Sequence, residues 1–330
     1  MDNEQNLQAP QPQEKPQKPH KAPPAFLNAG NALKVTCVGF AVGVVLRVIQ
    51  MLYYFDYDTG FYTDGGFLAW CSLAVPLLAA VLGGAMCFCS RRYFGPYVSR
   101  KNHSLGVVAG LSGAALLASA IFQLLDYLNY LTTGTSSFDS AERGVIHVAF
   151  LIACFLYGTI QLFVAVGFLQ GRNFLGKMPL LYLIGVFWGI SYLILVYVFY
   201  AKSSSFVENA FAVGGGASVL LSVFYLCKVF AGVEEESAVK RLFVAGIFAV
   251  VLTIPYSFSN LVLMLLGKSY SGEIPSTIQL ASLSVSLFLL FFMMTFRKYA
   301  VHRLPKDPAL REQAQQKTGE EQPARRFHPN

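Results

Sequence analysis

The chain has 330 residues, of which 55% are hydrophobic and 13% are charged, and its mean hydropathy is +0.50. Soluble domains carry roughly 25% charged residues, so this composition excludes an ordinary soluble enzyme. The formal net charge is +7, but the basic residues lie in the polar gaps between apolar blocks, where they set membrane topology. We therefore expect the lipid bilayer as the main partner, and no nucleic acid.

Eight apolar blocks follow one another along the chain, each close to the roughly 20 residues that cross a hydrocarbon core. We predict spans at residues 35–55, 67–88, 105–131, 144–169, 179–200, 211–232, 242–266 and 277–296. The loops between them are too short to fold alone, so consecutive helices should be antiparallel neighbours. The predicted fold class is all-α: a polytopic transmembrane helix bundle of eight spans that forms one domain, residues 34–296.

The two ends of the chain have a different composition from the spans. Residues 1–33 are polar and proline-rich, and residues 297–330 are polar and basic. Neither segment has enough apolar surface to form a core, so we predict that both are disordered cytoplasmic tails. Tails of this kind bind a cytoplasmic protein or anionic lipid headgroups, and these are the partners we expect for them.

The distribution of lysine and arginine predicts the orientation. With the N-terminus inside, 21 of the 25 basic residues fall on the cytoplasmic side. Only Arg143, Lys202 and Lys268 fall in outward loops, and Arg47 lies within the first span. Because cytoplasmic loops carry the excess of basic residues, both termini are predicted to be cytoplasmic. A seven-span alternative would place one of the two basic tails outside.

Polar residues inside the spans are the candidates for function. Arg47 and Gln50 are one turn apart in the first span, and Gln123 and Asp126 are one turn apart in the third. A charge near the middle of a span costs about 2.5 to 3.5 kcal/mol, so it usually faces the bundle interior and finds a partner. Arg47 and Asp126 should differ in depth by only about 4.5 Å, and we predict that they pair.

Further polar side chains are expected in the same outer half of the bundle. His147, Asn260 and Gln279 lie near the outer ends of their spans, and Gly214, Gly215 and Gly216 open the sixth. We predict an outward-facing vestibule that binds a ligand through the residues Arg47, Gln50, Gln123, Asp126, His147 and Asn260. The alternative is a structural ion pair, with the amide side chains forming hydrogen bonds between helices.

The first outer loop, residues 55–66, combines aromatic residues with the carboxylates of Asp56, Asp58 and Asp64. Three carboxylates could hold a hard cation such as Ca²⁺. The alternative, which we favour, is a turn at Thr59 and Gly60, aromatic side chains at the depth of the lipid headgroups, and Asp64 as the cap of the second helix. We therefore predict no metal site.

This loop, together with Arg47 and Gln50 before it, resembles a segment of multi-pass bacterial membrane proteins that have no known activity. The resemblance covers residues 47–66. It implies residence in a bacterial plasma membrane. It neither supplies nor excludes a catalytic residue.

No motif fixes a reaction. Gly110, Leu111, Ser112 and Gly113 spell the nucleophile motif of rhomboid proteases, but Ser112 is predicted near the opposite membrane face from His147. We expect no catalytic residue and no cofactor. Three functions stay open: binding or transport of a small polar or amphiphilic molecule, a non-catalytic sensor, scaffold or assembly subunit, and a membrane-embedded enzyme that acts on a lipid-linked substrate.

Overall fold

The computed structural model describes residues 26–59, 61–90, 100–134, 144–201, 205–233, 235–268 and 274–298. Within them, eight helices are long and apolar enough to cross a membrane, which confirms the predicted fold class. The α-helices are α1 (Ala29–Tyr53), α2 (Phe67–Cys89), α3 (His103–Thr133), α4 (Gly144–Gln170), α5 (Leu183–Leu195), α6 (Phe206–Ala231), α7 (Glu235–Leu265) and α8 (Ser276–Lys298). The fifth span also includes a 3₁₀ turn, Pro179–Tyr182, before α5 and a π-helical turn, Val196–Tyr200, after it. Most of both predicted tails lies outside the described residues.

Three helices begin earlier than predicted. α1 begins at Ala29 instead of residue 35, α6 at Phe206 instead of 211, and α7 at Glu235 instead of 242. Their first turns contain charged or amide residues. A span predicted from hydropathy stops at such residues, but the helix itself continues through them. Residues 29–33, assigned above to the N-terminal tail, therefore belong to α1.

Local sequence explains several helix ends. Asn28 and Asn102 cap α1 and α3, because each side-chain oxygen accepts a hydrogen bond from the amide three residues later, at 2.9 and 3.0 Å. Gly134 and Gly232 end α3 and α6 in the left-handed conformation, each with φ of 69°. Glycine adopts this conformation without the steric cost of a Cβ atom.

Successive helices run in opposite directions, so the bundle has two ends. The end where α1 finishes and α2 begins is called the Tyr62 end below. The opposite end, where α2 finishes and α7 begins, is called the Lys240 end. Contacts across the bundle agree with this arrangement, since the amide of Asn102 before α3 donates to the carbonyl of Phe168 near the end of α4, at 2.9 Å.

Two helices form the centre of the bundle. About 78% of the α7 span and 67% of the α8 span are buried, against 33% of the α1 span. α7 packs against α1, α2, α6 and α8, whereas α8 packs mainly against α7 and α3. The other six helices form a ring around these two. On one side α3, α4, α5 and α6 follow one another, and the α1–α2 pair lies on the other side. Contact between α2 and α6 is slight, so the ring is open there.

Candidate functional site

Glycines let α1 pack closely against its neighbours α2 and α7. A Cβ atom on Gly39 would lie 2.3 Å from Cβ of Ala79, and one on Gly43 would lie 2.5 Å from Cγ of Pro76. The same position at Gly43 is 3.2 Å from Cγ of Pro255 on α7. No side chain fits at such distances, so α1 packs closely against α2 and α7. Positions 39, 43 and 47 share one helix face, and this contact therefore carries residue 47 inward.

Arg47 is fully buried and is held by several contacts at once. Its Nη1 atom donates to Oε1 of Gln50 at 2.9 Å, and its Nη2 atom is bonded to the carboxylate of Glu208 on α6. The guanidinium lies 5.3 Å from the ring centroid of Phe211 and 5.7 Å from that of Tyr256. Aromatic faces at this range attract a cation, so the charge is stabilised by an anion and two π-systems.

Glu208 was missed because the sixth span was predicted to begin after it. Ser205 and Glu208 have the spacing of a capping box, S-x-x-E, which places a helix start at this point. In the structure Ser205 is the N-cap, but its side chain does not cap the helix. Its hydroxyl donates to Oη of Tyr62 at 2.7 Å, and Tyr62 donates to Oε1 of Glu208 at 2.8 Å. Both capping side chains are thus directed to residues outside α6.

The loop that carries Tyr62 is folded over the Tyr62 end. Phe55 and Tyr62 form an isolated antiparallel bridge, and their rings pack with centroids 5.7 Å apart. The amide of Asp56 donates to Phe61 and that of Thr63 donates to Tyr54, at 2.9 and 3.0 Å. These bonds fix the side chain of Tyr62 above Glu208. Burial, and then the charge of Glu208, raise the pKa of the Tyr62 hydroxyl, so it remains a donor.

Two carboxylates of this loop, those of Asp56 and Asp64, accept hydrogen bonds from groups within or next to the loop. Asp64 accepts from the amides of Gly66 and Leu68, each at 2.9 Å, so it satisfies one amide in the first turn of α2, although the N-cap position itself is Gly66. Asp56 accepts from Thr59 Oγ1 and from the Asp58 amide, and these hydrogen bonds lower the pKa of Asp56. Among the described residues no group of three or more metal-ligating side chains occurs. Gly60, which was predicted to form the turn with Thr59, lies outside the described residues.

Asn260 extends the cluster on α7. It follows Tyr256 by one turn on the same face and precedes Leu263, which packs with Met51 of α1. Asn260 is 1% exposed, and in the described part of the chain neither its Oδ1 nor its Nδ2 atom has a hydrogen-bond partner. The Nε2 atom of the fully buried Gln50 also has no partner there. We refer to Arg47, Gln50, Tyr62, Glu208 and Asn260 as the Arg47 cluster.

The predicted pairing of Arg47 with Asp126 is wrong. The carboxylate that contacts Arg47 is Glu208, which reaches it from α6. Asp126 is half-buried on α3, and α3 packs against α4 and α8 instead of α1. Arg47 and Asp126 match in depth, but α1 and α3 are not neighbours in the bundle.

The other predicted vestibule residues are dispersed. Gln123 is buried on α3, where its amide donates to Ser119 Oγ at 2.9 Å. His147 on α4 stacks on Phe199, with ring centroids 5.4 Å apart. Gln279 on α8 donates to the carbonyl of Ile274 at 2.6 Å.

The glycines at 214–216 lie inside α6 and not at its start, and they pack against α5 and α7. Of the six predicted site residues, Arg47 and Gln50 contact each other, and Asn260 lies one turn from Tyr256, whose ring faces Arg47.

No match to the chain was found among protein-family models, curated proteins or solved structures. Eight apolar helices of spanning length make the chain a multi-pass integral membrane protein.

Proposed function

We propose that this membrane protein binds a small polar or amphiphilic molecule at the Arg47 cluster and carries it across the membrane. The observation that supports the proposal is the buried side chain of Asn260, whose amide oxygen and nitrogen have no partner among the described residues. Asn260 lies one turn from Tyr256, whose ring faces the guanidinium of the buried ion pair. Buried amides are nearly always hydrogen-bonded in proteins. A bound polar molecule would satisfy Asn260 and the Gln50 nitrogen together.

The charges of the cluster suit a molecule without a large net charge. Arg47 and Glu208 neutralise each other, and the groups that lack partners are the uncharged amides of Gln50 and Asn260. The rings of Phe211 and Tyr256 add an apolar wall beside them. Amide donors and acceptors next to aromatic faces are the surroundings that a polar or amphiphilic ligand needs.

Tyr62 would control access to the cluster. Its hydroxyl bridges Ser205 and Glu208, so the first loop closes the Tyr62 end above the ion pair. A molecule could enter from that end only after Tyr62 leaves these two partners.

We place the Tyr62 end outside the cell, because the basic residues are concentrated at the other end. The test uses a thiol reagent that does not cross membranes. Thr132→Cys, exposed near the end of α3, should react in intact cells when the native cysteines are replaced. A single cysteine kept at the exposed position Cys89 should react only in inside-out vesicles. The reverse pattern would invert the proposed direction of access.

The test of binding is native mass spectrometry of the full chain released gently from its membrane. We expect a stoichiometric small-molecule adduct on the wild type and its loss in Asn260→Leu. Gln161→Leu is the matched control, since it also replaces a buried amide by leucine but lies on α4, away from the cluster. An adduct on all three proteins, or on none, would refute binding at the cluster.

Transport requires a second measurement. Once the mass identifies the adduct, the same compound in radiolabelled form is used with protein reconstituted into liposomes. We expect uptake with the wild type and with Gln161→Leu, and none with Asn260→Leu. Binding without uptake would leave the cluster as the receptor site of a sensor and would exclude the transport half of the proposal.

A further inference from the structure

A second site lies at the other end of the molecule, where the ring of helices is open between α2 and α6. A cleft of about 500 Å³ occupies this opening, and α7 forms its floor. Binding pockets for small molecules range from about 300 to 1,000 Å³, so the volume suffices for part of a large ligand. The cleft shares no residue with the Arg47 cluster.

Two adjacent cations line the cleft at the Lys240 end. The Nζ atom of Lys240 lies 5.2 Å from the ring centroid of Phe88, which holds the side chain of this half-buried lysine in place. No carboxylate contacts Lys240 in the part of the chain that the structure describes. Arg241 is exposed and lines the same cleft. Lys240 therefore places a positive charge in the polar end of the cleft, and this charge suits an anion.

The remaining wall is apolar and runs toward the middle of the membrane. Along α7 it extends from Lys240 to Phe248, eight residues that rise about 12 Å. One leaflet of the hydrocarbon core is about 15 Å thick, half of the usual 30 Å. The apolar part of the cleft thus has the depth of one leaflet, and a ligand anchored at Lys240 would lie parallel to the lipid chains.

The sides of the cleft open toward lipid. Phe88 on α2 is 69% exposed and Leu221 on α6 is 50% exposed. In a helix of this apolar composition, such surfaces face the surrounding acyl chains. A lipid molecule could therefore enter sideways from the bilayer without leaving its leaflet.

We propose that this cleft binds one anionic phospholipid of the leaflet at the Lys240 end. Its phosphate contacts Lys240 and Arg241, and one acyl chain lies along α7 as far as Phe248. Lysine next to an arginine recognises the phosphate charge, and the length of the apolar wall matches the chain. This site is independent of the ligand proposed for the Arg47 cluster.

The experiment uses the full chain in detergent after removal of bound lipid. The probes are palmitoyl-oleoyl phosphatidylglycerol, which is anionic, and phosphatidylcholine with the same two chains, which has no net charge. Native mass spectrometry counts the bound lipids during the titration. We expect one tight phosphatidylglycerol on the wild type, and binding about fivefold weaker for Lys240→Gln. Lys228→Gln is the matched control, because Lys228 also lies over a phenylalanine ring, at 5.6 Å, but outside the cleft. It should bind as the wild type does.

A second variant tests the acyl-chain half of the site without changing charge. Val244→Phe fills the cleft and should prevent the tight binding of phosphatidylglycerol, whereas Val145→Phe, at a position 84% exposed on α4, should not. Equal affinity for both lipids, or equal binding to Lys240→Gln and Lys228→Gln, would overturn the recognition of an anionic headgroup. Unchanged binding to Val244→Phe would overturn the location. Asn260→Leu should retain this lipid, which distinguishes the two sites.

Discussion

The guanidinium of Arg47 on α1 is bonded to the carboxylate of Glu208 on α6, a residue 161 positions later in the chain. Both side chains are almost completely removed from solvent, with 0% and 3% of their surface exposed. A buried pair of this kind is neutral as a unit, but either charge alone would be very unfavourable inside the bundle. The pair therefore links α1 to α6 and fixes the positions of Gln50 and Tyr62 around it.

The first prediction concerns the two charges. Arg47→Gln and Glu208→Gln should each lower the free energy of unfolding by about 3 to 5 kcal/mol, because each leaves one buried charge without its partner. The double variant should lose less than the sum of the two single losses. Titration with sodium dodecyl sulfate in mixed micelles measures these values. Asp126→Asn serves as the control, since Asp126 lies on α3 outside the cluster, and strictly additive losses would contradict the pairing.

The second prediction concerns Asn260. Asn260→Leu should raise the free energy of unfolding by about 1 to 3 kcal/mol, because it removes a buried amide that lacks partners while keeping a similar volume. The same variant should lose the bound molecule. A gain in stability together with a loss of binding is typical of a residue retained for function. If Asn260→Leu instead destabilises the protein as Gln161→Leu does, the amide has a structural role.

The third prediction concerns the close packing of α1 against α2 at Gly43. Gly43→Ala should lower the free energy of unfolding by about 1 to 3 kcal/mol, since the added methyl group would overlap Pro76. Displacement of α1 should also shift Arg47 and weaken binding at the cluster. Gly110→Ala is the control, because the nearest atom there is 3.8 Å from the added carbon. Thermal denaturation of the two variants side by side gives the comparison, and equal melting temperatures would count against close packing at Gly43.

The fourth prediction concerns the first loop. Tyr62→Phe removes the bridge between Ser205 and Glu208, so the amides of Asp56 and Thr63, which are bonded within the loop, should exchange hydrogen faster. Hydrogen–deuterium exchange with mass spectrometry on peptides from residues 54–66 measures this change. Tyr53→Phe, at a position 74% exposed, should leave the exchange unaltered. Slow exchange in Tyr62→Phe would show that the loop is held by its own backbone bonds.

The sequence by itself determined the class of protein and the number of spans. Long apolar blocks can satisfy their backbone groups in a bilayer only as helices, so their count was readable without a structure. The burial of Arg47, Gln50, Gln123 and Asn260 was also predictable, because polar groups on such helices avoid lipid. The role of these residues in binding remains a prediction.

Only the tertiary structure decided which polar residues meet. Depth along a helix follows from a fixed rise per residue, and for this reason Asp126 looked like a suitable partner for Arg47. The order of the helices around α7 and α8 is not encoded in hydropathy, since all eight spans are similarly apolar. Glu208 stands beside Arg47 because α6 and α1 both pack on α7, and Tyr62 joins them because the first loop folds back over that end.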